Sequence, residues 1–248
     1  MNLCVDLNSD LGEGAGHDAE LLQLVSSANI ACGRHAGSPE MMRESIRAAQ
    51  ELGVAVGAHP SFVDRENFGR REMTLPGEEV FRLVREQLAD FQKAADSLGV
   101  RPRHVKPHGA LYNMAARDEE IADAIVRAVV SVDPKLVIFA TATSSLARLA
   151  MASEVRVARE VFADRNYLAD GSLVPRDRSD ALLHDAEAAA NRVYGMLRDG
   201  KVRAIDGSEV RVEADTICVH GDTPGAVEFA QQLRLALHQM GIVVAPVG

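Results

Sequence analysis

Short apolar runs alternate along this chain with longer stretches whose apolar residues recur every three or four positions. The runs "LCVDLN" (3–8), "SANIAC" (27–32), "VAVGAH" (54–59), "HVK" (104–106), "LVIFAT" (136–141), "VRVAREVF" (155–162) and "TICVHG" (216–221) predict β-strands. Most are apolar enough to be buried on both faces, which is the habit of parallel sheets. The stretches between them predict helices. "PGEEVFRLVREQLADFQKAADSLG" puts Val80, Val84, Leu88, Phe91, Ala95 and Leu98 on one face, opening near Pro76 and stopping at Gly99. "TPGAVEFAQQLRLALHQMG" carries Ala226, Ala230, Leu233, Leu237 and Met240 along one stripe. Ser38-Pro39 and Thr223-Pro224 each read as an N-cap followed by proline at the first helical position. The segment "KVRAIDGSEVRV" (201–212) breaks the rhythm, and its Asp206-Gly207 predicts a small β-hairpin laid over the rest.

Seven β–α units in succession fit a closed barrel or an open doubly wound sheet. The polar residues decide between them. Nearly every predicted strand ends in one: Asp6 and Asn8, Cys32 then His35, His59, Lys106 and His108, Glu160 and Asp164, His220 and Asp222. Functional groups at the carboxyl ends of many strands mark the mouth of a β/α barrel. A doubly wound sheet gathers them at one or two crevices. With no linker, repeat or low-complexity stretch, the expectation is a single TIM-like barrel domain over residues 1–248.

Composition narrows the chemistry. The 248 residues carry a net charge of -9, which would repel a nucleic-acid backbone, and the absence of Trp removes the usual base-stacking platform. No apolar run approaches the ~18 residues of a membrane span. The opening "MNLCVDLNSDLGEG" has no basic region and is not expected to be a signal peptide. Cys4, Cys32 and Cys218 lie far apart, so neither a disulfide framework nor a zinc ribbon is expected, and a cytoplasmic protein is. Cys32, in an apolar context, reads as an inert buried thiol.

An anionic ligand on so acidic a chain must meet a local cationic cluster, and "HVKPHGALYN" (104–113) supplies one. His104, Lys106 and His108 share a strand face at period two. A lysine at a barrel mouth can stabilise an oxyanion, or pair with Asp6 or Glu160 to hold the barrel together. A histidine can carry a proton near neutral pH. In "VDLNSDLGEGAG", Asp6, Asp10 and Glu13 lie close together among glycines. His35, flanked by Gly33 and Gly37, is expected to face the barrel mouth, as is His59 before Pro60. Arg65, Arg70 and Arg71 in "VDRENFGRR" could grip a carboxylate or phosphate bidentately, or pair with Glu66 and Glu72 at the surface. Asp164, Arg165 and Asp222 could orient these cations or an attacking water, although Asp222 also suits a helix cap. Asp6, His35, His59, His108 and His220 form an oxygen/nitrogen set suited to a divalent ion, without HExxH spacing. No GxxxxGK[ST] phosphate loop occurs.

Taken in order, "DLNSDLGEG", "SANIACGRHAG", "GAHPSF", "FGRR", "HVKPHGALYN", "DGSLV" and "TICVHGD" resemble the LamB/YcsF family, whose members are the A subunits of prokaryotic ATP-dependent 5-oxoprolinase. The resemblance implies an irregular seven-stranded β/α barrel of the glycoside hydrolase/deacetylase type. It also implies cleavage of 5-oxo-L-proline to L-glutamate with hydrolysis of ATP to ADP and phosphate, together with B and C subunits. In that setting the expected catalytic residues are Asp6, Glu13, His59, Lys106 and His108. The expected substrate-binding residues are Asn8, His35, Arg70, Arg71, Asp164, Arg165, His220 and Asp222. The alternative is a metal-dependent amidohydrolase or carbohydrate deacetylase acting alone. Two positions depart from the family pattern: Arg34 replaces an aromatic residue before His35, and Asp180 stands where a glycine is expected.

Overall fold

The computed structural model describes residues 3–175, 178–221 and 225–247. Its elements run β1 (Cys4–Leu11), α1 (Asp18–Leu22), β2 (Ser27–Ala31), α2 (Pro39–Glu51), β3 (Ala55–His59), α3 (Gly77–Ser97), β4 (His104–Val105), α4 (Gly109–Ala115) and α5 (Glu119–Val132). They continue with β5 (Val137–Ala140), α6 (Ser145–Ala152), β6 (Val157–Phe162), α7 (Ala186–Asp199), β7 (Lys201–Arg203), β8 (Glu209–Arg211), β9 (Thr216–Cys218), α8 (Ala226–Gln239) and β10 (Val243–Val244). Strands β1 to β6 and then β9 pair in sequence, and β9 closes on β1 with Asp6 opposite Thr216 and Asn8 opposite Cys218. The result is a closed seven-stranded parallel barrel, as the polar strand ends predict. The β7–β8 hairpin forms where Asp206-Gly207 places it, with Lys201 opposite Arg211. The two-residue β10, paired with Cys4 and Val5, is too short to leave a periodic signal.

Helix formation follows local sequence. Ser38 Oγ accepts from the Met41 backbone N–H at 3.2 Å and opens α2, with Pro39 in its first turn. The α3 stripe of Val80, Val84, Leu88, Phe91 and Ala95 is buried, packing largely against α5, while Leu98 beyond the helix end is half-buried. In α8, Ala226, Ala230, Leu233 and Leu237 are buried and Met240 is half-buried. The Thr223-Pro224 cap lies outside the described residues.

The barrel interior departs from expectation. Strand β1 alternates strictly, with Val5 and Leu7 joining the apolar core while Asp6, Asn8 and Asp10 point the other way. Polar groups therefore fill the barrel along its whole length rather than only at its mouth. At the bottom, Asp6 accepts hydrogen bonds from Ser26 Oγ (2.6 Å), Ser27 Oγ (2.7 Å) and Thr216 Oγ1. Above it, Asn8 Nδ2 donates to Thr216 Oγ1 (2.7 Å) and Glu160 Oε1 (3.2 Å), and its Oδ1 accepts from Asn29 Nδ2 (2.7 Å). His104 Nε2 donates to Asn29 Oδ1 at 2.8 Å, and its ring stacks on Phe139 with 4.2 Å between centroids. Burial, then the nearby charges of Lys106 and His59, push the His104 pKa down to about 3, so this imidazole is neutral. Room for it exists because residue 57 is glycine: a Cβ there would sit 2.2 Å from the His104 ring.

The lower rim is tied by Arg159 of β6, which grips Asp215 with Nε to Oδ2 (2.6 Å) and Nη2 to Oδ1 (2.7 Å) and also reaches Glu213. Burial alone would raise the Asp215 pKa, but the hydrogen bonds and charge of Arg159 outweigh it and hold it below the usual carboxylate value. That pair therefore adds stability above the unfolded-state pKa of Asp215 and loses it as pH falls through the depressed folded-state value. Urea unfolding across a pH series should show Asp215→Asn less stable than the parent near neutrality, with the gap closing in acid. Gly57→Ala should cost about 1–3 kcal/mol through overpacking of His104, read from the urea midpoint.

Candidate active site

At the carboxyl ends of the strands the barrel opens into a cavity of about 600 Å³, lined among others by Asp10, Glu13, His59, Arg70, Lys106, His108, Tyr112, Phe162, Arg165 and His220. The structure thus brings His59, Lys106, His108 and His220 together from the strand ends, and Glu13, Arg70 and Arg165 join them from the segments beyond the strands. Asp164 stands behind them, accepting from His220 Nδ1 at 2.7 Å. Four expectations need correction or relocation. Asp6 is held by three hydroxyls at the opposite end of the barrel, too deep to touch a ligand at the mouth. Asn8 lies beneath the cavity and orients Lys106 rather than lining the site. His35 does not face the open mouth: it is buried, with its ring stacked on His108 at 3.8 Å. Arg71 is exposed, and its backbone N–H donates to Asp64 at 3.3 Å, so its guanidinium does not join the wall. Asp222 lies outside the described residues. Arg34 Nη2 lies 3.9 Å from Asp90 Oδ2 on α3. Asp180 pairs with Arg178 at 2.7 Å on the surface.

Lys106 forms the cavity floor. Its Nζ donates to Asp10 Oδ1 (2.9 Å), Asn8 Oδ1 (3.2 Å) and Cys218 Sγ (3.0 Å), and lies 3.1 Å from Glu160 Oε1. Burial would lower the pKa of this ammonium, but the charge of Asp10, followed by Cys218 and Glu160, raises it well above the usual value. In return Asp10, which burial would raise, is held well below the carboxylate range by His59 and then Lys106. Lys106 is thus a fixed cation, anchored by Glu160 and Asp10 and not by Asp6.

Four side chains crowd the neighbouring wall: one donor atom each from Glu13, His35, His59 and His108 lies within 4.8 Å of the others. His59 Nδ1 donates to the Lys106 carbonyl at 2.6 Å, and His108 Nε2 donates to the Phe68 carbonyl at 2.8 Å. Their remaining nitrogens, His59 Nε2 and His108 Nδ1, face each other at 2.9 Å. Glu13 Oε1 lies 2.8 Å from His35 Nε2, 3.4 Å from His108 Nδ1 and 3.8 Å from His59 Nε2. Burial, then the charge of His59, takes the His35 pKa down to about 3, and burial with His59 and His35 puts His108 well below its ordinary value. His59 goes the other way: burial opposes its protonation, but Asp10 and Glu13 raise it.

The loops explain the convergence. Phe68, at φ 54°, and Gly69, at φ 65°, turn the β3–α3 segment back over the site, so that the Phe68 carbonyl meets His108. A Cβ on Gly69 would approach His35 and His108 to 2.8 and 2.9 Å, so glycine is required there. Arg65 clamps the β2–α2 loop by donating to the carbonyls of Gly33 and Gly37, each at 2.9 Å. Sequence reasoning left Asp10, Glu160 and Tyr112 outside its site. Asp10 was legible through its period-two relation to Asp6 and Asn8, and Tyr112 through its place one helical turn beyond His108. Tyr112 Oη is buried beside the Glu160 carboxylate and makes no hydrogen bond of ordinary length among the described residues.

In fold, this closed parallel barrel resembles the β/α barrels of deacetylases and glycoside hydrolases. A family 4 carbohydrate esterase from Streptomyces lividans, crystallised with acetate, superposes with a TM-score of 0.55 at 12% identity, covering 100% of this chain and 94% of that one. A GH113 β-1,4-mannanase gives 0.51 at 12% identity, covering 96% and 99%. At such identities the likeness is one of fold. The LamB/YcsF family model matches residues 5–248, and the chain belongs to that family. A lactam utilization protein from Thermus thermophilus is 46% identical, with a TM-score of 0.93 over 99% of this chain and 100% of its own.

The thiols test the packing around the floor. Cys218 and Cys32 are buried and Cys4 is exposed. Burial pushes the Cys32 pKa up to about 12 and raises Cys218 well above its ordinary value despite Lys106. Ellman's reagent should therefore titrate one thiol in the folded protein and three in urea.

Proposed function

We propose that this chain, as a single barrel domain in the cytoplasm, is the A component of an ATP-dependent 5-oxoprolinase that works with B and C components. Family membership together with 46% identity to a lactam utilization protein over nearly the whole chain carries the substrate class. The cavity chemistry supports it. A five-membered lactam acid presents a carboxylate and an amide carbonyl, and the mouth offers guanidinium groups on Arg70 and Arg165 for the first. Lys106 and the Tyr112 hydroxyl are donors for the second.

An unactivated lactam is a poor electrophile. Attack of its oxygen on the γ-phosphorus of ATP expels ADP and leaves a carbon that water can add to. The C–N bond then breaks as nitrogen takes a proton, and a second water releases phosphate, giving glutamate, ADP and phosphate. Lys106 is suited to hold the oxygen on which charge develops, because its own charge is fixed and buried. His220, oriented by Asp164, is suited to move the proton.

Glutamate and ADP release from 5-oxoproline plus ATP should appear only when the chain is mixed with its B and C partners. Lys106→Met should then lower kcat by about 10²–10³-fold with the complex still assembled. Turnover by this chain alone without ATP, on a sugar acetamide or simple amide, would favour a stand-alone amidohydrolase or deacetylase instead.

A further inference from the structure

The geometry points to a divalent-cation site on this chain, formed by His59 Nε2, His108 Nδ1 and the Glu13 carboxylate, with the cavity on its open side. The inference shares the site of the proposed lactam chemistry but does not depend on which substrate binds there.

Hydrogen-bond direction fixes which ring nitrogens carry protons. A backbone carbonyl only accepts, so the Lys106 carbonyl fixes the proton of His59 on Nδ1 and the Phe68 carbonyl fixes that of His108 on Nε2. Once His59 gives up any proton on Nε2, each ring is left with one lone pair, and these two lone pairs face each other at 2.9 Å. Such a pair needs a positive centre, which a proton on His59 Nε2 supplies in the empty site and which a divalent ion supplies on displacing that proton. Glu13 Oε1, a third acceptor, lies 3.4 Å from one nitrogen and 3.8 Å from the other. Imidazoles whose far nitrogens donate to carbonyls are in the state that metal ligands adopt, because this donation fixes the tautomer and raises ligand basicity.

Distances and charge agree. Three donors each about 2.0–2.2 Å from a tetrahedral ion stand roughly 3.3 Å apart, and the three separations here, 2.9, 3.4 and 3.8 Å, bracket that value. The His59 and His108 rings are nearly perpendicular, at 87°, so both in-plane lone pairs can meet at one point. Asp10 Oδ2, 3.4 Å from His59 Nε2, borders the same point. Two carboxylates, Asp10 and Glu13, lie nearest it.

His35 is set apart from the ligands. Its ring lies parallel to that of His108, 5° between planes, and two stacked imidazoles cannot both direct an in-plane lone pair at one ion. His35 is instead a positioning residue, placing Glu13 through Nε2 at 2.8 Å, with Ser61 Oγ on Nδ1 at 2.8 Å. Two imidazoles and one carboxylate with an open face suit zinc or another first-row divalent ion. Such an ion would act as a Lewis acid on a carbonyl or phosphoryl oxygen in the cavity.

The test reads metal and not turnover, so its failure is distinguishable from failure of the lactam assignment. The full-length chain, stripped with chelator, is titrated with Zn²⁺ by calorimetry and with Co²⁺ by visible absorption. One ion per chain is expected, with Co²⁺ ligand-field bands. His59→Asn and His108→Asn should each weaken binding by 100-fold or more, and His35→Gln by about 10–100-fold. Cys4→Ser, at the far end of the barrel, should change nothing. Urea midpoints establish that each variant folds, and anomalous scattering from Zn²⁺-soaked wild-type crystals locates the ion without any variant. Absence of binding to the wild-type chain tighter than about 100 µM would overturn the assignment. So would unchanged affinity in both histidine variants, or an anomalous peak between Cys218 and His220, which form a second group of possible ligands with Asp10.

Discussion

The rest of the molecule is arranged around one buried ammonium. Lys106 stands in the middle of a parallel barrel, and a lone charge there would be prohibitive to desolvate. Asp10 and Glu160 neutralise it, Asn8 orients it, and Asn8 is itself held by Asn29 and Thr216. Satisfying each of these groups calls for another below it, which is why the interior stays polar down to Asp6 and its three hydroxyls. Removing one partner from such a buried pair typically costs about 3–5 kcal/mol, since the survivor is left uncompensated.

That network divides the labour between the two faces of each strand. The outward face packs against the helices through Leu7, Ile30, Val105 and Ile138, all fully buried, and supplies the hydrophobic stabilisation. The inward face gives up that contribution in exchange for fixed dipoles and charges. Gly57 shows how closely this is fitted, since the His104 ring occupies the space that a side chain at 57 would fill.

At the mouth the same logic produces chemistry. Lys106 has its charge pinned, His220 has its orientation pinned by Asp164, and His59 and His108 have their tautomers pinned by backbone carbonyls. Groups held in this way need no rearrangement when charge develops beside them, and preorganisation of that kind is the larger part of electrostatic catalysis. The loop that carries Phe68 and Gly69 therefore contributes through its backbone, although neither side chain is reactive.

Much of this was legible in the sequence. The seven strands, the α3 and α8 stripes, the Ser38 cap and the Asp206-Gly207 hairpin follow from periodicity and local turn chemistry, which a linear pattern records directly. So did the membership of His59, Lys106, His108 and His220 in one mouth, because parallel strands in a barrel bring their carboxyl ends together. Depth and direction were not legible. A strand-end position does not say that Asp6 sits at the bottom while Asp10, two alternations later, meets Lys106, because the stagger between β1 and its neighbours is set by barrel closure. Nor does a glycine-flanked His35 announce that a loop some thirty residues later will seal it behind His108. Sequence determined which residue types and which strand faces were available. Tertiary structure alone decided which lone pair faces which, because hydrogen-bond direction is settled only when distant backbone carbonyls arrive.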